Sequence, residues 1–180
     1  MISIIVTSVG HFEEHVVPLY KSFKAHGDFE FILSIANPGD IRSRAELTNG
    51  GLASATGDWL ITMDNDIRCN GSFGFINNLD TKTLYGLKRL LFNDNWLCEQ
   101  CIAIPRGLYE EIGGFDENFQ TSMSFGGVDY CIRAMEAGYK TDELVAPFKH
   151  LAAATKLDNP EHERTRKENE TYLKGKWPGK

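Results

Sequence analysis

The stretch Trp59–Asn70, "WLITMDNDIRCN", runs from an apolar segment straight into two aspartates separated by one asparagine. Residues 59–63 read as a short strand bounded by turn residues on both sides. If the extended geometry continues, Asp64 and Asp66 point to one side, about 6–7 Å apart at Cα, and Asn65 points away. Two like charges at that distance repel by about 2.5 kcal/mol at an effective dielectric near 20. A hard divalent cation, which prefers oxygen ligands, turns that repulsion into attraction. A plain surface turn also accounts for the pattern, since Asp and Asn bond to their own backbone in turns.

Working outward, residues 2–6, "ISIIV", form the continuous apolar run of a central parallel strand. After "TSVG", Val16, Leu19, Tyr20 and Phe23 recur at helical spacing, and Gly27 marks the end. A second strand, "FEFILSIA", stops at "NPGD". Residues 41–56 look helical but carry two adjacent glycines, so a broken helix is expected there. Strand, helix, strand, helix, strand is the order of a parallel α/β sheet with right-handed crossovers.

The second half is less regular. "TLYGLKRLLF" and "LCEQCIAI" read as strands, and "PRGLYEEIGG" as a short helix with Pro105 in its first turn and Gly113 at its end. "FGGVDYCIRAMEAGY" is a longer helix with Gly138 as its stop, and "KTDELVAPFKHL" reads as extended chain. Residues 157–180 form a polar, charged helix or tail anchored only by Leu157, Tyr172, Leu173 and Trp177. The expected organisation is one domain over 1–156, with a nucleotide-binding half (1–68) and an acceptor half (69–156), followed by that segment.

Composition narrows the function. The 180 residues suit a single domain with a real core. A balance of 19 basic against 25 acidic residues argues against a nucleic-acid binder that relies on phosphate contacts. No apolar run approaches the ~20 residues of a transmembrane span. "MISIIVTSVG" lacks a basic leader region, so a cytoplasmic protein is expected. Of the four cysteines only Cys98 and Cys101 form a C-x-x-C, and no second pair completes a zinc site. They read as structural thiols in a reducing compartment. "HFEEH", His11–His15, matches an inverted zinc-protease pattern. That chemistry needs both histidines on one regular helix, and Pro18 would clash with the carbonyl of Glu14 inside it. A zinc hydrolase is therefore the remote alternative.

Open α/β sheets bind ligands beyond the carboxyl ends of their strands. The three ends here, "TSVG", "NPGD" and "DND", offer no glycine-rich phosphate cradle. A bound diphosphate would need a cation, which Asp64 and Asp66 are placed to hold.

Four segments resemble one family in the right order across nearly the whole chain. "ISIIVTSVG" is similar to the first strand of the GT-A glycosyltransferases of the family 2 group. "NGGLASATGDWLITMDNDI" resembles their segment ending in D-x-D, "AIPRGLYEEIGGFDENF" the run before their catalytic helix, and "DYCIRAMEAGYK" that helix. The resemblance implies an α/β, Rossmann-like GT-A fold, with a mainly parallel central sheet flanked by helices. It implies a sugar transferred from a nucleoside diphosphate donor, of which UDP-sugars are the commoner kind, to a glycan or other hydroxyl acceptor. Mn²⁺ or Mg²⁺ would bridge the diphosphate. By the same resemblance Asp66 is the principal metal ligand, Asp64 contacts the ribose or the metal, and His150 completes the metal site. Thr7, Ser8, Asn37, Arg44 and Asn65 fall on the donor side.

The chain departs from that family at the start of the catalytic helix. The usual Glu–Asp pair, whose aspartate is the base, falls on Gly126 and Gly127 when the helix is aligned without gaps. If "GGVD" is matched instead to the "GGED" of related GT-A families, Asp129 is the base itself; under either alignment it is the nearest carboxylate, and Asp116 in "GGFDENF" is the second candidate. An inverting transfer needs a base within hydrogen-bond reach of the acceptor hydroxyl. The missing pair keeps a non-catalytic nucleotide-sugar-binding domain open as the alternative.

Overall fold

The computed structural model describes residues 1–9, 12–36, 43–87, 89–90, 93–119, 125–151 and 160–180. β1 (Ile2–Val9), β2 (Glu30–Ala36) and β3 (Trp59–Asp64) run parallel, with β1 between the other two. The sheet continues through β8 (Cys101–Pro105), β5 (Thr83–Gly86) and β9 (Lys140–Glu143). Only β8 runs against the rest, pairing antiparallel with both β3 and β5. β4 (Ile67–Cys69) pairs antiparallel with β10 (Phe148–His150), and β6 (Arg89–Leu90) with β7 (Asn93–Leu97).

Alternation along β1 and β3 splits the core into two layers. Ile4, Val6, Ile61 and Met63 meet Leu19 and Phe23 of α1 (Val17–Lys24) on one face. Ile5 and Leu60 face the other way, toward Leu52 of α2 (Arg44–Ser54), Leu108 of α3 (Arg106–Ile112) and Tyr130 of α4 (Phe125–Glu136). Both sides of these strands are covered, which is why their sequence is apolar throughout rather than alternating.

α2 is continuous, contrary to the break expected from its glycines. A Cβ at Gly51 would lie 2.4 Å from Ile5 Cγ2, so this glycine lets the helix lie close on β1. A capping box at Ser43 and Glu46 starts the helix, and the helix presents Arg44 in its first turn. The run "LCEQCIAI" is not one strand: a turn at Glu99–Gln100 separates β7 from β8. All four cysteines are free, and burial pushes the Cys131 thiol up to about 12, as suits a structural thiol.

The polar carboxyl-terminal segment forms α5 (Pro160–Lys176), whose Leu173 packs with Phe119, Val128 and Ile132. Trp177 and Trp96 border the same cluster. Leu157, the other expected anchor, lies outside the described residues. Among the described residues no helix is long and apolar enough to cross a membrane.

Candidate active site

The carboxyl ends of β1 and β3 lie side by side, with Thr7 opposite Asp64 in the ladder. Beyond Asp64 the chain turns through Asn65 and Asp66 into β4. β10 then returns antiparallel to β4, and its Leu151 amide donates to the carbonyl of Asp66, 3.1 Å away. Long-range strand pairing thus places His150 beside Asp66.

Asp64, Asp66 and His150 each offer a ligand atom, and the three atoms lie within 4.8 Å of one another. His150 Nε2 is 3.1 Å from Asp66 Oδ1, and both side chains are nearly buried. Asp66 Oδ1 is nevertheless a buried oxygen with no hydrogen bond, because its approach to the imidazole is an ion-pair contact without hydrogen-bond alignment. A buried oxygen left this way is costly unless something else takes its lone pairs. Two carboxylates and an imidazole are a donor set that fits Mn²⁺, which takes oxygen and accepts nitrogen.

Arg44 reaches the cluster from α2. Its guanidinium pairs with Asp64 Oδ1, and Nη2 also donates to the carbonyl of Glu99 at 3.3 Å. Burial pushes the Asp64 carboxyl above its ordinary range and Asp66 adds to this, against the pull of Arg44. The Asp64 amide donates to the carbonyl of Gln100 at 2.8 Å, which ties β3 to the turn before β8. Asn65 is also engaged: its Nδ2 donates to Ser8 Oγ at 2.9 Å. Thr7, Ser8, Arg44, Asp64, Asn65, Asp66 and His150 therefore converge on one end of the sheet. Asn37 lies outside the described residues.

The two carboxylates read as candidate bases do not join them. Asp129 has no exposed surface. Its Oδ2 accepts from Arg133 Nε at 2.8 Å, and its Oδ1 from Trp177 Nε1 at 2.8 Å and Lys176 Nζ at 2.8 Å. Arg133 also holds the carbonyls of Ile112 and Gly114, so Asp129 is part of the clamp joining α3, α4 and the end of α5. Asp116 is engaged as fully: Oδ1 accepts from the backbone and side chain of Asn118, and Oδ2 from Tyr172 and Lys176. Both carboxylates are thus occupied by donors of the protein itself. Trp96 is packed against the hydrophobic clusters around α4.

The H-x-x-E-H segment also fails its geometric requirement. Residues 12–16 form a wide π-helical turn rather than a regular helix, with Pro18 in the first turn of α1. His11 lies outside the described residues.

One carboxylate escaped sequence reasoning. Glu99 lies in the turn between β7 and β8, in a run that reads as an uninterrupted strand. Its Oε2 accepts the Gly127 amide at the start of α4, 3.0 Å away.

Comparison with solved structures settles the architecture. The catalytic domain of Drosophila β1,4-galactosyltransferase 7, in complex with xylobiose, superposes with a TM-score of 0.62 at 19% identity, covering 92% of this chain and 79% of that one. The chain has the GT-A fold. A mutant of the same galactosyltransferase, complexed with manganese, UDP-galactose and xylobiose, gives a TM-score of 0.61 at 19% identity, with the same coverage. The mannosyltransferase of Pyrobaculum calidifontis, in complex with GDP-mannose and Mn²⁺, gives 0.59 at 14% identity, covering 96% of this chain and 69% of that one. The sequence matches no family model and no curated protein.

Proposed function

We propose that this GT-A protein is a metal-dependent glycosyltransferase. It would move a sugar from a nucleoside diphosphate sugar, a UDP-sugar in the first instance, to a hydroxyl acceptor with inversion. The observation that carries the reading is the Asp64–Asp66–His150 cluster with its buried, unsatisfied Asp66 oxygen. Its place at the carboxyl ends of parallel strands is where open α/β sheets take ligands. Structural neighbours complexed with Mn²⁺ and UDP-galactose or GDP-mannose support it. Donor binding would lie in residues 1–68, completed by His150, and acceptor binding in 69–156, with α5 packed against the latter.

In this reading Asp64, Asp66 and His150 hold the cation, Mn²⁺ or Mg²⁺. When bound, it carries negative charge on the departing diphosphate as a Lewis acid. Arg44 keeps Asp64 oriented and lowers the repulsion between the two carboxylates. Ser8 and Asn65 fix each other at the nucleoside end, and Thr7 stands beside them.

A second reading, a domain that binds nucleotide sugars without transferring them, draws on the full engagement of Asp116 and Asp129. One pair of measurements tests both. UDP with Mn²⁺ should raise the melting temperature of the wild type, since a ligand at 100 times its Kd adds about 2.7 kcal/mol. Asp66→Ala should abolish that shift while remaining folded; an undiminished shift in the mutant would remove the metal assignment. Release of UDP from UDP-sugar by the wild type then separates the transferase from the binding domain.

A further inference from the structure

We infer that Glu99 is the carboxylate that takes the acceptor's proton, an assignment that rests on the transferase reading. Three observations single it out. First, it is partly exposed, whereas Asp129 is sealed. Second, it is tied to the metal cluster through its own main chain. The Arg44 nitrogen that pairs with Asp64 also binds the Glu99 carbonyl, and the adjacent Gln100 carbonyl accepts the Asp64 amide.

Third, the glycines of α4 make room for it. A Cβ at Gly126 would lie 3.2 Å from Glu99 Oε2, and one at Gly127 would lie 3.0 Å from Glu99 Cβ and 3.2 Å from the Leu97 carbonyl. Glycines at 126 and 127 thus leave the volume at the helix start to a carboxylate arriving from the β7–β8 turn. The Gly127 amide donates to Oε2 at 3.0 Å and holds the carboxylate at the start of α4.

The step balances without a further reactant. The acceptor oxygen forms a bond to the anomeric carbon as the bond from that carbon to the diphosphate oxygen breaks. The hydroxyl proton passes to Glu99, and the bonding electrons leave with the nucleoside diphosphate. Attack from the face opposite the leaving group inverts the centre.

Glu99→Gln keeps an oxygen for the Gly127 amide and removes the basicity, so it isolates the chemical role. The assay follows nucleoside diphosphate release from UDP-galactose and GDP-mannose with Mn²⁺, using xylobiose and a monosaccharide panel as acceptors. The expected result is a fall in kcat on the order of 10²- to 10⁴-fold, with the Kd for UDP and Mn²⁺ unchanged. Glu99→Ala should lose as much, and added formate should restore part of it. A Glu99→Gln variant as fast as the wild type overturns the assignment. So does a Glu99→Ala variant that formate leaves inactive while its melting temperature drops, since Glu99 would then only cap the helix. A wild type that binds UDP with Mn²⁺ but consumes no donor overturns the base and leaves the binding domain. One that does neither overturns the transferase reading itself.

Discussion

Two carboxylates meet the amino-terminal half of α4, and their surroundings give them different work. Glu99 Oε2 accepts a backbone amide at the helix start and remains partly exposed. Asp129 is sealed, and its partners Arg133, Lys176 and Trp177 come from two helical segments. A buried charge that loses its partner costs about 3–5 kcal/mol. Asp129→Asn removes the charge facing Arg133 and Lys176, so it should cost about 3 kcal/mol in stability. Donor affinity per folded molecule should stay unchanged. Chemical denaturation alongside UDP–Mn²⁺ titration checks this; a fully stable Asp129→Asn protein that has lost turnover would return the base to Asp129. Sequence showed the D-x-D carboxylates because they follow directly on an apolar strand. It could not show Glu99, because a lone acid between two cysteines has no pattern of its own.

At the scale of elements, α5 is the part whose sequence says least. Its composition is that of a solvated helix, yet Tyr172 and Lys176 reach Asp116, and Lys176 and Trp177 reach Asp129. Burial pushes the Asp116 carboxyl up, but hydrogen bonds from Lys176, Asn118 and Tyr172 outweigh it, and the group sits well below the ordinary carboxylate range. A lowered folded value means stability fully present above the unfolded pKa of about 3.9. That stability is lost as pH falls through the folded value. Asp116→Asn should therefore lower stability at pH 7 by about 2 kcal/mol for the loss of charged hydrogen bonds, seen as a lower melting temperature. It should also flatten the decline in melting temperature between about pH 4 and pH 2. An acid limb as steep as that of the wild type would show that the Asp116 contacts do not hold α5 in solution. The α2 helix teaches the opposite lesson about local reading. Gly51 suggests a break when counted as a poor helix former, but it is the residue that lets α2 pack on Ile5.

Across the whole molecule, the cation site joins segments far apart in the chain: the end of β3, the turn into β4, and the last residue of β10. Mn²⁺ with UDP should thus slow hydrogen exchange together at the Asp64 amide, bonded to Gln100, and the Leu151 amide, bonded to Asp66. Asp66→Ala should show neither change; protection at only one of the two would mean that His150 is not a ligand. The first three strands, α1 and the two aspartates were legible in the sequence, because apolar runs and local spacing fix strands and helices within a few residues; α2 was legible as a helix but not as an unbroken one. Three things were decided only by tertiary structure. His150 is placed by the pairing of β10 with β4, Glu99 by the turn that splits one apolar run into two strands, and the sealing of Asp116 and Asp129 by α5. Each depends on contacts between residues distant in sequence, and the hydrophobic periodicity of a single segment records only which of its faces is buried, not what buries it.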